Sequence, residues 1–351
     1  MQAQARQFAI PPALELGPLR DYLARELGSS GGQSLLVLEQ FSGGQSNPTY
    51  RLEWGGKTCV LRKKPAGPLL PSAHAVEREF RVIRALRDSE VPVPQVLALC
   101  QDAEVIGTPF YLMEFVEGRV FWDPSLPELS APERKAIYDE MLGVIAALHR
   151  IDPVAAGLED FGKPGNYFAR QFARWTSQYR ASQTEPLAYM EALIEALPGR
   201  LPNSGETRLV HADYRLDNLI FHPTRPHIVA VIDWELSTLG DPLADLAAHC
   251  AAWHLPRRYR GLADVPLAGT GLPSEDSYRQ RYCALTGRDR IEDWPALVAF
   301  ALFRKAAINQ GIVKRAQQGN ASSAKALDIG RVRHIASVAR TLLEQARAFK
   351  D

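Results

Sequence analysis

The residues best suited to chemistry lie between Leu209 and Asp245, in the run LVHADYRLDNLIFHPTRPHIVAVIDWELSTLGDPLAD. His211, Asp213 and Asn218 stand in the spacing H-x-D-x-x-x-x-N, and a second carboxylate, Asp233, follows. The apolar stretches LIF and IVAVI predict two short strands, with HPTRPH as the turn between them. Pairing those strands brings Asn218, at the start of one, close to Asp233, at the end of the other. Asp213 is left on the loop just before the first strand. Two oxygen ligands can hold magnesium on a nucleotide's phosphates, and a further carboxylate can orient a hydroxyl and accept its proton. This is the donor set that phosphoryl transfer needs. The plain alternative is an acidic hairpin with a capping aspartate.

Several elements must position these groups. Residues 14–27 predict a helix with Leu16, Leu19, Leu23 and Leu27 on one stripe, ended by Gly28. Two strand patterns then flank the turn FSGGQSNP, and a third strand, TCVLR, follows the hairpin turn at Gly55 and Gly56. Gly43 and Gly44 allow backbone N–H groups to approach a phosphate, and Ser46 and Asn47 could add side-chain donors. In the third strand, alternation points Arg62 and Lys64 to the same face, opposite Leu61, so either could be a phosphate-binding cation. Residues 73–88 read as an amphipathic helix carrying Val76, Phe80, Ile83 and Leu86, with Glu77 and Glu79 as candidate partners of that cation. VPVPQVLAL enters a further strand, and FYLMEFVEG predicts an edge strand ending at Gly118.

Beyond Gly118 the pattern is helical. Ser130 and Glu133 form a capping box ahead of a long helix marked by Ile137, Met141, Val144, Ile145 and Leu148. Helix patterns follow near 165–180 and 185–197. Asp241, before Pro242, is a candidate N-cap, and Asp245 is expected to brace the His211–Asn218 loop. Two tail helices are expected, with a turn around Gly311.

The chain has 351 residues and is 46% hydrophobic, enough for a large core in one bilobal or two-domain protein. The net charge is +1, but Ala251–Asp351 holds 17 Lys and Arg against 9 Asp and Glu. A basic C-terminal segment suits an anionic ligand; solvated helix faces are the bland alternative. Arg257, Arg258 and Arg260 form one candidate cluster, and Arg304, Lys305, Lys314 and Arg315 another. Cys59, Cys100, Cys250 and Cys283 lack metal-ligand spacing and read as buried thiols in a reducing compartment. The N-terminus lacks a basic start and an apolar core, and no apolar run approaches a membrane span. A cytoplasmic protein without membrane or nucleic-acid partners is expected.

HADYRLDNLIF and VIDWELSTLGDPLADLA resemble the aminoglycoside phosphotransferase family. More narrowly, they resemble the kinase-like domain found alone in bacteria or fused to certain acyl-CoA dehydrogenases in animals. The similarity runs from about Phe41 to about Ala247, and more loosely to the C-terminus. It implies an α+β, bilobal protein-kinase-like fold, with a small β-rich N-lobe over residues 1–117 and a large, mostly helical C-lobe over 118–351. It also implies ATP and Mg2+ as cofactors, Asn218 and Asp233 as metal ligands, and Asp213 as catalytic base. His211 would stay neutral and brace the loop. Aligned on the family, Arg62 takes the place of the strand lysine, which is a departure, and Glu79 becomes its partner. The Gly43–Asn47 turn would cover the phosphates, although it departs from G-x-G-x-x-G. The backbone from Glu114 to Val116 would meet the adenine edge, with Met113 lining its pocket. No A-P-E motif is present, which argues against a protein kinase. The implied acceptor is an anionic small molecule, such as a hydroxyacyl-CoA. An aminoglycoside, another amino alcohol or a sugar remains open, as does a nucleotide-binding pseudokinase acting as an interaction module.

Overall fold

The glycine pair at 55 and 56 turns the chain back on itself. Both residues have positive φ, +56° and +77°, as a tight turn between right-twisted strands requires. Thr49–Trp54 and Lys57–Lys63 pair across this turn, placing Thr49 opposite Arg62. The computed structural model describes residues 8–9, 16–28, 36–41, 47–65, 74–203, 206–318 and 328–348. These fall into two units. One is Met1–Val120 with Ala156–Leu158 and Asp217–Ser237; the other is Phe121–Ala155, Glu159–Leu216 and Thr238–Asp351.

The first unit is built on a six-stranded antiparallel sheet. Its spatial order is Phe8–Ala9, Val37–Phe41, Thr49–Trp54, Lys57–Lys63, Phe110–Glu114, Val96–Cys100. Phe110–Glu114 is therefore an interior strand ending at Glu114, not the expected edge strand ending at Gly118. Four of its five residues are buried, and a continuous apolar run of this kind suits a strand covered on both faces. The helix Leu16–Leu27 buries Leu19, Tyr22 and Leu23 against a core that includes Tyr50, Leu61 and Phe110. Tyr22 meets Phe110 edge to face at 5.2 Å. Leu16 is exposed, so the buried stripe starts one turn later than its spacing suggested. The helix Val76–Leu86 buries Val76, Val82, Ile83 and Leu86, and with them the carboxylate of Glu79.

The hairpin of Leu219–Phe221 and Ile228–Val231 forms as expected. Ile232 N–H donates to Asn218 O at 3.0 Å, which ties the residue before the first strand to the end of the second. The hairpin belongs to the sheet unit, whereas the division at 117/118 had assigned it to the larger lobe. The reason is a set of long-range backbone bonds. Val231 N–H donates to Pro92 O (2.8 Å), and Arg119 and Phe221 exchange two bonds (2.7 and 2.8 Å). Gly118 permits this approach, since a Cβ there would sit 2.2 Å from Phe221 O.

The second unit is mostly helical. Ala131–Arg150 starts at the predicted capping box, with Ser130 N–H donating to Glu133 Oε2 at 2.9 Å. Tyr167–Ser182 and Ala188–Ala196 follow, and then a short antiparallel ladder of Arg208–Val210 with Thr238–Gly240. Pro242–Cys250 begins at Asp241, which accepts from Leu243 N–H at 2.9 Å. Glu275–Thr286, Trp294–Gln317 and Ile329–Ala348 complete the described helices. Trp294–Gln317 runs through Gly311 without the expected turn. A mid-helix glycine costs only about 1 kcal/mol, which a helix with thirteen buried side chains offsets. This helix is long and apolar enough to cross a membrane, contrary to the expectation from sequence, but 67% of its most apolar window is buried within the protein. All four cysteines are buried and unpaired, and burial pushes the Cys59 thiol up to about 11.

A buried histidine in this unit gives a pH dependence. Burial pushes His249 down to about 4, although a hydrogen bond to the Tyr214 backbone and the charge of Asp245 act the other way. Its Nε2 lies 3.0 Å from the Tyr278 hydroxyl. The unfolded chain takes up a proton near 6.5 that the folded His249 refuses until about 4. Stability should be unaffected by this group above that window and fall as pH drops through it, by up to about 3 kcal/mol. Denaturant midpoints measured from pH 7 to 4 should show this slope, and His249→Gln should flatten it.

Candidate active site

Within the sheet unit, three carboxylates converge around Arg62. Arg62 as a residue is only 9% exposed. Its Nη2 donates to Asp233 Oδ1 at 2.6 Å, its Nε lies 2.8 Å from Glu79 Oε2, and Glu235 Oε2 is 3.5 Å from Nη2. The Glu79 contact is an ion pair rather than an aligned hydrogen bond. Burial opposes the charge on Arg62, but the summed pull of Glu79, Tyr111, Asp233 and Glu235 carries its pKa upward. Burial likewise lifts the Glu79 carboxyl above its ordinary range, against the lowering effect of Arg62 and with Asp233 adding to the rise. One guanidinium thus faces three carboxylates, leaving an excess of negative charge that a cation would neutralise.

This geometry separates the two candidate cations. Arg62 reaches Glu79 and Asp233, whereas Lys64 Nζ pairs with Glu77 at 2.6 Å. The sequence alone had left both cations and both glutamates open. Asn47 is placed against Glu79. Its side chain is 1% exposed, its Nδ2 donates to Glu79 Oε1 at 2.6 Å, and its Oδ1 lies 3.0 Å from His74 Nδ1. Its amide is committed to holding the glutamate, because a buried carboxylate needs donors on both oxygens. Gly43, Gly44 and Ser46 lie outside the described residues.

Met113 is buried in the strand Phe110–Glu114, opposite Val60 and Val96. Glu114 is exposed, but its N–H donates to Gln95 O at 2.8 Å. That N–H is bonded within the sheet unit. Val116 follows in irregular, half-buried backbone. Asn218 is buried and Asp233 half-buried, and Asp233 adopts a left-handed φ of +67°. A non-glycine residue in that conformation is strained, and such strain concentrates at functional positions.

Two members of the cluster were missed by the sequence reading. Glu235 stands two residues after Asp233, and a second acid so close to a proposed ligand was the available signal. Tyr111, whose hydroxyl donates to Glu79 Oε2 at 3.3 Å, lies opposite Arg62 across the sheet. Only the strand register reveals it.

In the helical unit, the loop bearing Asp213 is held from beneath by Asp245. This fully buried carboxylate accepts from His211 N–H (2.7 Å) and Ala212 N–H (2.9 Å), and lies 3.4 Å from His149 Nε2. Burial works against its charge, but these hydrogen bonds and the two histidines bring its pKa below the usual carboxylate range. Ala212 has a φ of +64°, and Arg304 donates to its carbonyl at 3.0 Å. His211 is fully buried, and its Nδ1 accepts from Asp213 N–H at 3.2 Å, so it braces the loop. Asp213 itself is half-buried, with Arg215 Nε 3.2 Å from its Oδ2.

Asp245→Ala would leave two buried backbone N–H groups without their acceptor. We expect a loss of about 2–4 kcal/mol in unfolding free energy, read from denaturant titration. The stability that Asp245 contributes in the wild type should be present at neutral pH and be lost only as pH falls below about 4, since its folded pKa is depressed.

The chain matches the model of the Phosphotransferase enzyme family over residues 37–297. It is 49% identical to mouse acyl-CoA dehydrogenase family member 10 over 325 residues, 91% of this chain and 30% of that protein. It is 41% identical to human acyl-CoA dehydrogenase family member 11 over 310 residues, 87% of this chain and 40% of that protein. The chain therefore spans well under half the length of both relatives. Among solved structures, a provisionally named aminoglycoside phosphotransferase from Ralstonia eutropha superposes with a TM-score of 0.85 at 48% identity, covering 95% of this chain and 99% of that one. Aminoglycoside phosphotransferase APH(4)-Ia, in a ternary complex with ADP and hygromycin B, superposes with a TM-score of 0.59 at 16% identity, over 93% of this chain and 98% of that one. The second likeness speaks to the fold alone. With the family model spanning most of the sequence and a half-identical structure covering nearly all of it, the chain belongs to the phosphotransferase enzyme family and has its protein-kinase-like fold.

Proposed function

We propose that this chain is an ATP-dependent phosphotransferase that phosphorylates a hydroxyl group of a small molecule, and that a hydroxyacyl-CoA is its acceptor. The observation that carries the phosphotransfer reading is the Arg62 cluster, where one buried guanidinium meets Glu79, Asp233 and Glu235. The excess negative charge suits a divalent cation, and the hairpin bonds the Asn218 backbone carbonyl to Ile232, the residue before Asp233. Among the described residues no set of three or more His, Cys, Asp or Glu forms a metal cage. Magnesium does not need one, because it keeps its waters and takes one or two protein oxygens together with phosphates. Asn218 and Asp233 would hold it. When bound, the ion neutralises charge on the transferring phosphoryl group.

Arg62, fixed by Glu79, binds the nucleotide's phosphates and gives up part of its contact with Asp233 as it does so. Asp213 orients the acceptor hydroxyl and takes its proton as the new P–O bond forms. His211 and Asp245 keep the Asp213 loop in place.

The kinase-like portion shared with the two dehydrogenase-named relatives supports the acyl-CoA acceptor. Phosphorylating the hydroxyl would make it a better leaving group for a later elimination. An aminoglycoside acceptor is the second reading, favoured by the names of the structural neighbours. The basic surplus of the last 101 residues opposes it, because a polycation is repelled there. ADP release measured against hydroxyacyl-CoA thioesters, free hydroxy acids and aminoglycosides separates the readings. Turnover with the thioesters alone is the expected result. Turnover with aminoglycosides alone would overturn the acceptor, and tight ATP binding without turnover on any alcohol would favour a pseudokinase.

A further inference from the structure

The two basic clusters singled out in the sequence have different fates in the helical unit. Arg304 donates to Ala212 O and lies over the Trp175 ring at 5.4 Å, while Lys314 donates to Ala181 O at 2.6 Å. Arg257 pairs with Asp123 through two nitrogens, at 2.8 and 2.6 Å. These three cations are used to hold the unit together.

The remaining arginines of the 257–260 turn are presented differently. Arg257 pins the turn to Asp123, its N–H donates to Asp264 at 2.7 Å, and Gly261 N–H closes it onto Pro256 O at 3.2 Å. The turn leaves Arg260 in a left-handed conformation, φ +59°, with its exposed guanidinium 4.8 Å from the centre of the Trp122 ring. Trp122 is 45% exposed, unusual for so large an apolar side chain. Arg258 and Arg331 both lie over the Tyr259 ring, at 5.0 and 5.4 Å. Arg331 comes from the first turn of the helix Ile329–Ala348 and was not singled out by the sequence. Among the described residues its guanidinium has no carboxylate partner, and its Nε is buried without an acceptor. Asp328 is the acid nearest in sequence, and its carboxylate caps Arg331 N–H at 3.2 Å. Burial and the charge of Arg260 push the Arg331 pKa downward, with Arg215 adding to the effect, although Tyr259 and Asp328 pull the other way. Arg215 is the residue paired with Asp213. The cluster thus reaches electrostatically toward the loop that carries the proposed base.

Like charges gathered this closely repel, a cost that an anionic ligand would relieve. Guanidiniums beside flat rings are the usual means of holding a phosphorylated aromatic ligand. We infer that Arg258, Arg260 and Arg331, with Trp122 and Tyr259, form an acceptor subsite that binds a phosphomonoester or diphosphate attached to a flat heterocycle. This inference rests on the phosphotransferase reading for its purpose, but not for its test. A phosphoadenosine handle on the acceptor satisfies it, and coenzyme A is the thioester carrier with that chemistry. An aminoglycoside does not satisfy it.

Adenosine 3′,5′-bisphosphate is the probe, because it carries two phosphomonoesters and a flat base but no triphosphate. Its binding to the full chain is followed by calorimetry, with ADP and magnesium titrated in parallel. We expect the bisphosphate to bind, to weaken as salt rises, and to lose about tenfold or more in affinity in Arg260→Ala/Arg331→Met. Magnesium–ADP affinity should not change in that variant. Arg290→Ala, which removes a surface cation paired with Glu292, should leave both affinities as they are. If the double variant folds poorly, Arg258→Ala and Arg260→Ala, both at exposed positions, carry the same expectation with smaller losses. Equal bisphosphate affinity in wild type and the arginine variants would overturn the subsite, as would no binding to the wild type. A loss confined to free hydroxy acids, with bisphosphate affinity intact, would overturn the phosphate assignment. Bisphosphate binding that depends on these arginines, in a protein that phosphorylates no hydroxyacyl-CoA, would keep the subsite and sink the acceptor reading alone.

Discussion

Asp213→Ala should lower kcat by about 10²–10⁴ while leaving the affinity for ATP unchanged. The expected size follows from the worth of a positioned general base, and the selectivity follows from where the residue sits. Asp213 is on the loop held by Asp245, and Arg215 Nε lies 3.2 Å from its Oδ2. Removing it takes away the group that receives the hydroxyl proton and leaves the phosphate-binding cluster intact. Asp213→Asn should lose nearly as much, because an amide can orient a hydroxyl but cannot take its proton. Single-turnover measurements with saturating nucleotide separate the chemical step from binding. Equal turnover in Asp213→Ala and wild type would remove the base assignment.

Asp233→Ala should behave in the opposite way. Magnesium-dependent nucleotide binding should weaken by about ten- to a hundredfold, since a charged ligand to the phosphates' counterion is lost. The magnesium-independent part of nucleotide affinity should change little, and kcat should fall as well. Titrating nucleotide with magnesium and then with chelator shows whether the loss is confined to the metal-dependent component. The fold should survive, because Arg62 keeps Glu79 at 2.8 Å and Glu235 at 3.5 Å as partners. Arg62→Met is the harsher change for stability. It strands the buried Glu79 carboxylate, so we expect a loss of about 3–5 kcal/mol in unfolding free energy. Unaltered metal dependence in Asp233→Ala would exclude this carboxylate as a ligand.

The elements that carry the site were legible because their signals are local. Strand alternation, the Gly55–Gly56 turn, the Ser130 capping box and the Asp241–Pro242 helix start each depend on neighbours a few residues away, and each stands where its pattern placed it. The H-x-D-x-x-x-x-N spacing and the hairpin after it are equally local, and the hairpin bonds Asn218 to Ile232, the residue before Asp233.

What tertiary structure decided was the partner of each side chain. Arg62 and Lys64 share a face in the strand, and Glu77 and Glu79 share a helix. Burial of one carboxylate beside one guanidinium sorted them into two pairs. Asn47 could have faced a ligand, but the unsatisfied oxygen of a buried glutamate claimed its amide. Phe110–Glu114 became an interior strand because a distant strand closed over its other side. Arg331 lies far along the chain from Arg258, and no periodicity links them; only the packing of Tyr259 between turn and helix brought them to one ring. Local sequence sets backbone conformation through sterics and short-range hydrogen bonds. The desolvation of charge, which chooses partners, is settled only when remote segments exclude water together.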